Sequence, residues 1–395
     1  WSISALLGCY VLFPYILGGL KRLGPWSALL AVVGLYLIAN AATQAWLGFP
    51  VYQMPMKLSI PERRILYTVL MNARLSVQEI ARHLGCSAPV VQHAVRKFRD
   101  AGLISRRVMI DIFRLGYARH SIYITLSSEG QDKKGEISRF LAKSSCTTVV
   151  LEVGGDYDFF VATVTRTSAE LAAFNHELSS GFGSLFLKKD VAVTVRHSVF
   201  GEKLLVADPA LHAECFFEVC PSLNGPTVEL DALDHRLLYA LAGPELTTSR
   251  ALAQSLGTAP STIDYRMKRL ESSGVICGDM HEVRGEMIGL TNYIVLVGMK
   301  GVSEERHQEF YLFAKQHPNI AHLSFEVGHW DYMLGVAVEE HKGLNALIEV
   351  IRRVFRDSVA SIKSFSMFHA HKVRDYPIIP TIGNASFSQA ANRDR

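Results

Sequence analysis

An α+β chain in which one unit is used twice is what this sequence predicts, on three observations. First, LSVQEIARHLGCSAPVVQHAVRKFRDAGLI (Leu75 to Ile104) and TTSRALAQSLGTAPSTIDYRMKRLESSGVI (Thr247 to Ile276) align without a gap. Gly274 less Gly102 is 172, and so is Gly257 less Gly85. Second, apolar residues inside each stretch recur at the spacing of short helices, punctuated by glycine. Third, each stretch is followed by strand-like and helix-like segments in the same order. Self-similarity over so long a period exceeds that of solenoid repeats and marks duplicated whole domains.

In repeat one, Ile65, Leu66, Val69 and Leu70 make the stripe of a first helix. Ser76 and Glu79 have the spacing of a capping box and open a second, which Gly85 ends in a left-handed cap. Ser87 is placed to cap a third helix, with Val90, Val91, Ala94, Val95 and Phe98 inward and Gly102 at its end. Three helices with a tight turn before the last form a helix-turn-helix, and the strand ISRRVMI after it makes the winged form. HSIYITL, EISRFLAKS, TTVVLEV, DFFVATVT, SAELAAFNHEL and DVAVTVRH then read β-α-β-β-α-β, the ferredoxin-like order. Repeat two gives the same order from NYIVLVGM to ASIKSFSMFH.

The expected domains are winged helix-turn-helix units at 56–116 and 228–290 and ferredoxin-like units at 117–200 and 291–376. A connector at 201–227 ends in Pro, Ser, Asn and Gly, and a polar tail covers 377–395. An apolar segment at 1–50 precedes them. Its second run, residues 26–47, carries no formal charge and exceeds the roughly 20 residues that a bilayer span needs. The expectation is either a membrane-associated N-terminus tethering a cytoplasmic DNA-binding region to the inner membrane or a fusion remnant.

The chain has 395 residues, a net charge of +4 and 49% hydrophobic residues, enough for several domains with cores. That charge excludes neither nucleic acid nor small-molecule partners. The six cysteines contain no CxxC pair, and no zinc spacing follows. No G-x-S-x-G, H-E-x-x-H, Walker or dinucleotide glycine motif occurs, so neither catalytic residues nor a metal or cofactor are expected. His369 and His371 alternate on one strand without a further ligand.

Function is expected on the third helices. In repeat one Ser87, Gln92, His93, Arg96, Lys97 and Arg99 face out, with Arg106 and Arg107 on the wing. Gln can read adenine in the major groove, and Arg or Lys can read guanine or hold phosphate. Repeat two offers Ser261, Tyr265, Arg266, Lys268 and Arg269, but its wing reads CGDMHE, where Asp279 and Glu282 would repel phosphate. The partner implied is double-stranded DNA. A second signal is the loop VGGDYDFF, matched by VGHWDYML. Gly155, Asp156 and Asp158 in one, with Gly328 and Asp331 in the other, suit either a turn in which Asp caps backbone amides or the wall of a small-effector pocket.

The run RILYTVLMNARLSVQEIARHLGCSAPVVQHAVRKFRDAGLI, followed by VGGDYDFF and repeated, resembles the Lrp/AsnC family of transcriptional regulators over 56–376. The resemblance implies a DNA reader joined to an αβ unit that pairs into dimers and larger homo-oligomers and binds an effector such as an amino acid between subunits. Two fused readers would then address two half-sites of one operator. Two departures stand out: Ala94 occupies a place where the family carries arginine, kept as Arg266 in repeat two, and repeat two lacks the basic wing. The sirohaem decarboxylases are similar to the same family. Their histidine- and asparagine-rich lead into the αβ unit is reduced here to His120 in FRLGYARHSIYITL. WSIS and YVLFP resemble a transmembrane stretch of the membrane acyltransferases that O-acylate sugars, over residues 1–20 alone, with Leu6 and Leu7 where an acidic residue is usual.

Overall fold

The computed structural model describes residues 55–206, 217–220, 227–243, 248–301 and 303–377. The expected membrane tether at 26–47, the acyltransferase-like stretch and nearly all of the polar tail lie outside them. Among the described residues no helix is long and apolar enough to cross a membrane.

The first reader consists of α1 (Ile60–Met71), α2 (Val77–Leu84) and α3 (Ala88–Asp100). Ser59 with Glu62, and Ser76 with Glu79, form reciprocal capping boxes on α1 and α2. Gly85 ends α2 at φ 64°, a left-handed conformation that glycine adopts without a Cβ clash. Ser87 stands at the N-cap of α3, yet its side chain accepts no bond there. Pro89 has already removed one of the amide donors that such a cap would satisfy.

The wing strand finds its partner outside its own repeat. β1 (Ile104–Ile110) forms no hairpin in its own repeat. It pairs antiparallel with β7 (Ile276–Val283) of repeat two, with Ile104 opposite Val283 and Arg107 opposite Met280. β1 leaves the first reader's core at Ile104 and reaches the second reader's core at Ile110 and Ile112, while β7 runs the opposite way. The two wings are thus a crossing ribbon that joins the readers.

In the first αβ unit the chain runs β2 (Ala118–Leu126), the short α4 (Ser128–Asp132), α5 (Lys134–Lys143), β3 (Thr147–Gly154), β4 (Phe159–Thr165), α6 (Ser168–Phe182) and β5 (Phe186–Val199). β6 (Phe217–Val219), within the expected connector, adds to the end of β5. The second reader follows as α7 (Ala232–Leu241), α8 (Ser249–Leu256) and α9 (Pro260–Ser272). β8 (Thr291–Met299), α10 (Glu304–Gln316), β9 (Ile320–Val327), β10 (Tyr332–Val338), α11 (His341–Val354) and β11 (Val359–Val373) complete the second αβ unit.

Strand orders β5-β2-β4-β3 and β11-β8-β10-β9 are those of two βαββαβ sheets. Their last strands are longer than the sequence pattern suggested, because each serves both sheets. β5 pairs with β2 through its first half and with β9 from Val193 onward. β11 pairs with β8 and then, from Ser366, with β3. Eight strands therefore close into a ring. Helices cover it: Ile137, Leu141, Phe174 and Leu178 pack on one sheet, and Phe310, Leu344, Leu347 and Ile351 on the other. Each such buried side chain contributes roughly 1.5–3 kcal/mol. Inside the ring, Tyr157 and Trp330, equivalent residues of the two loops, meet at 3.3 Å within a shared aromatic core.

Candidate nucleic-acid interface and repeat junction

The amphipathic spacing of α3 buries Val91, Ala94, Val95 and Phe98 and so turns Gln92, His93, Arg96 and Arg99 to solvent; Val90, expected inward, lies on the outer face and is 49% exposed. Arg96 and Arg99 make no ion pair among the described residues. Lys97 behaves differently. Its ammonium lies 2.7 Å from Glu62 of α1, which it holds below the ordinary carboxylate range against the opposing effect of burial. The second reader repeats this tie 172 positions on, with Arg269 on Asp234. These basic residues brace the last helix against the first.

On α9, Ser261, Tyr265 and Lys268 are exposed. Arg266, in contrast, is folded back on the N-terminus of α7, 2.7 Å from Asp231 and 2.8 Å from Asp234. The pair pulls Asp231 down to about 2. Of the cations expected to contact DNA from α9, Lys268 is the one left without a carboxylate partner among the described residues.

On the wing, each arginine expected to contact phosphate is paired with a carboxylate. Arg107 donates to Asp375 through Nε at 2.6 Å and Nη2 at 2.8 Å, a bidentate pair with both side chains largely buried. Arg106 donates to Asp279, with Nε 2.8 Å from Oδ1, and Arg74 adds a second bond at 3.1 Å. Burial alone would raise the Asp279 carboxyl; the two guanidinium groups hold it below its ordinary value. The signal was in the sequence. Asp279 stands 172 positions after Arg107, so the acid that looked hostile to phosphate is the basic strand's own counter-charge.

In the loops, Gly155, at φ 137°, lies on Phe365 of β11, and a Cβ on Gly328 would fall 2.8 Å from the Ala192 backbone of β5. Each loop thus rests on the other unit's long strand, at positions 173 apart. Asp158 accepts from Leu126 N at 2.7 Å, and Asp331 from Met299 N at 2.6 Å. Both clamp the end of a central strand. Asp156 is exposed and pairs with Lys363 across the junction.

A buried polar cluster that sequence reasoning missed lines the reader-facing end of the ring. Glu326 of the second unit accepts from Tyr123 of the first at 3.0 Å and from Ser121, and burial pushes its carboxyl up to about 7. His197 bonds Ser324 at 2.9 Å and stacks near His322. Strand alternation marks these positions as inward-facing. Their partners, however, lie more than a hundred residues away, and no local pattern names them. Among the described residues no group of three or more His, Cys, Asp or Glu is placed to hold a metal ion.

Comparison with known proteins agrees with this geometry. A model described as winged helix-turn-helix DNA-binding matches twice, at residues 58–105 and 230–276. An uncharacterised HTH-type transcriptional regulator of Pyrococcus horikoshii is 31% identical over 120 residues, covering 30% of this chain and 80% of the relative. The HTH-type transcriptional regulator AldR of Mycolicibacterium smegmatis is 27% identical over 144 residues, covering 36% and 83%. Among solved structures, the siroheme decarboxylase NirDL aligns over 81% of this chain and 95% of its own at a TM-score of 0.54 and 13% identity, a likeness of fold. With two matched readers, each followed by the αβ unit, the chain belongs to the Lrp/AsnC-type family of helix-turn-helix regulators.

Proposed function

We propose that the chain is a sequence-specific transcriptional regulator whose two readers address two half-sites of one operator. The observation that carries this reading is the outward face of α3, where Gln92, His93, Arg96 and Arg99 are exposed on a helix braced from behind by Lys97. The response to a small effector such as an amino acid belongs to the same proposal, at the loops of Gly155, Asp156, Asp158, Gly328 and Asp331. So do assembly with further copies through the αβ units and the membrane tether at 26–47. Arg96→Ala with Arg99→Ala should weaken binding to all DNA sequences and reduce the salt slope by about two, one per phosphate contact. Mobility shift across a salt series measures it; an unchanged slope would remove α3 from the interface.

A second reading, chemistry on an iron tetrapyrrole as in NirDL, is favoured by the tandem fold shared over most of both chains. Titration with sirohaem separates the two. A shifted haem-like absorbance with no DNA retardation supports the enzyme reading, and retardation without a spectral change supports the regulator.

A further inference from the structure

An open groove of about 480 Å³ lies on the first reader, between the start of α1 and the first turns of α3. Pro61 and Ile65 line it from one side, and Pro89, Val90, His93 and Ala94 from the other. Ser59 and Glu62 also border it, but they are bonded to each other at 2.8 Å, and Glu62 is held by Lys97. What remains of the wall is apolar apart from the His93 ring. Val91 and Val95 of the same helix are buried, whereas Val90 stands half in water at the rim.

The second reader shows what else this place can hold. At the offset of 172, Arg266 stands where Ala94 does, and its guanidinium lies on the start of α7, 2.7 Å from Asp231 and 2.8 Å from Asp234. Asp231 corresponds to Ser59, and Thr262 to Val90. One reader therefore fills the place with a guanidinium and supplies the carboxylate that binds it. The other has neither, and carries valine at the rim. Charge has been exchanged for an apolar recess at matching positions of two otherwise similar readers.

His93, on the outward surface of α3, is also a wall of the groove, so the groove opens beside that surface. Val90, His93 and Arg96 follow one another at intervals of three, which makes them neighbours in one row along the helix. Arg96 and Arg99 give the surface the charge that duplex DNA requires. In a helix-turn-helix the N-terminal residues of the last helix are those that reach base edges, and Pro89, Val90 and His93 lie in the first two turns of α3. Most of what a major groove presents is a hydrogen-bond donor or acceptor, which Val90 and Ala94 cannot answer. The exception is the C5-methyl group of thymine, which gains by leaving water for an aliphatic wall.

We propose that Val90 and the groove beside it receive the methyl group of a thymine in the half-site that the first reader contacts, which makes Val90 a specificity-determining residue of that reader. The inference rests on the regulator reading of α3. Duplexes selected from a random pool by the full chain are remade with one thymidine at a time replaced by deoxyuridine, which pairs alike and lacks only the methyl. Mobility shift should reveal a position where the change weakens binding about fourfold, the worth of one methyl-sized group taken out of water. Val90→Ser, at a position already half exposed, should fold as the parent does and bind the thymidine and deoxyuridine forms of that position equally. The absence of any sensitive thymidine, or a sensitivity that persists in Val90→Ser, would overturn the proposal and leave the regulator reading in place. Failure to retard any duplex would overturn both.

Discussion

Arg107→Ala would leave the largely buried Asp375 carboxylate without the guanidinium that hydrogen-bonds it, with Arg119 acting only through its charge. Losing one partner of a largely buried ion pair costs about 3 kcal/mol or more, so the melting temperature should fall by many degrees. A variant that melts normally but binds DNA weakly would restore Arg107 to the DNA surface. Glu202 makes a different test. Burial first, then the Glu282 charge, raises its carboxyl from 4.5 to about 7 although Lys203 pulls the other way. The folded chain therefore holds a proton that the unfolded chain releases. The stability this contributes is complete below pH 4.5 and is lost as pH rises through 7. Glu202→Gln removes the titration. Its stability relative to the parent should grow between those limits by an amount on the order of 2–3 kcal/mol, read from denaturant midpoints at pH 5 and pH 8. A constant difference would show that Glu202 titrates normally.

The helices and strands were legible as elements. Capping boxes, glycine stops and period-two runs are local signals, and β1 has the bounds that ISRRVMI outlined. Pairing was not legible, because a strand carries no mark of which repeat its neighbour belongs to. Hence the wing strand read as part of its own reader, with two arginines for phosphate, and the ends of β5 and β11 looked shorter than they are. The charge reversal from Arg107 to Asp279 also decides which ribbons can form. Two copies of repeat one would bring Arg106 and Arg107 of one strand against the same pair of the other, with no acid at the Asp279 position. Residues 55–206 expressed alone should therefore fail to dimerise, and mixing with 227–377 should restore a one-to-one complex, measured by sedimentation. A stable homodimer of repeat one would contradict this. Asp279 is held below its ordinary value, so the ribbon's electrostatic contribution is present above about pH 4 and lost below it.

At the scale of the whole molecule, duplication fixes the ratio of two readers that are no longer alike. The first presents Arg96 and Arg99; the equivalent positions in the second are Lys268 and Glu271, and Glu271 is bonded to Arg74. Lys268→Ala should accordingly lower the salt slope by about one, half the effect of removing both first-reader arginines. Equal effects would mean the readers grip DNA alike. The inequality was visible in the sequence as lost wing charge, but its physical basis lies in the partners that Arg266, Arg269 and Arg74 find in the folded chain.

The closed ring also sets a timetable for synthesis. β3 ends at Gly154, and the strand that covers its free edge is complete only at Val373, 219 residues later. At about 5–20 residues per second, a ribosome needs roughly 10–40 s to deliver it. Throughout that interval the nascent first half carries an uncovered row of backbone donors and acceptors, the form in which sheets recruit strange partners. A chain stopped after Asn319 keeps that interval open for good. It should be recovered from cells largely as aggregate or bound to chaperones, where the complete chain is not. Recovery of the stopped chain as a monodisperse species would show that the edge is protected by other means.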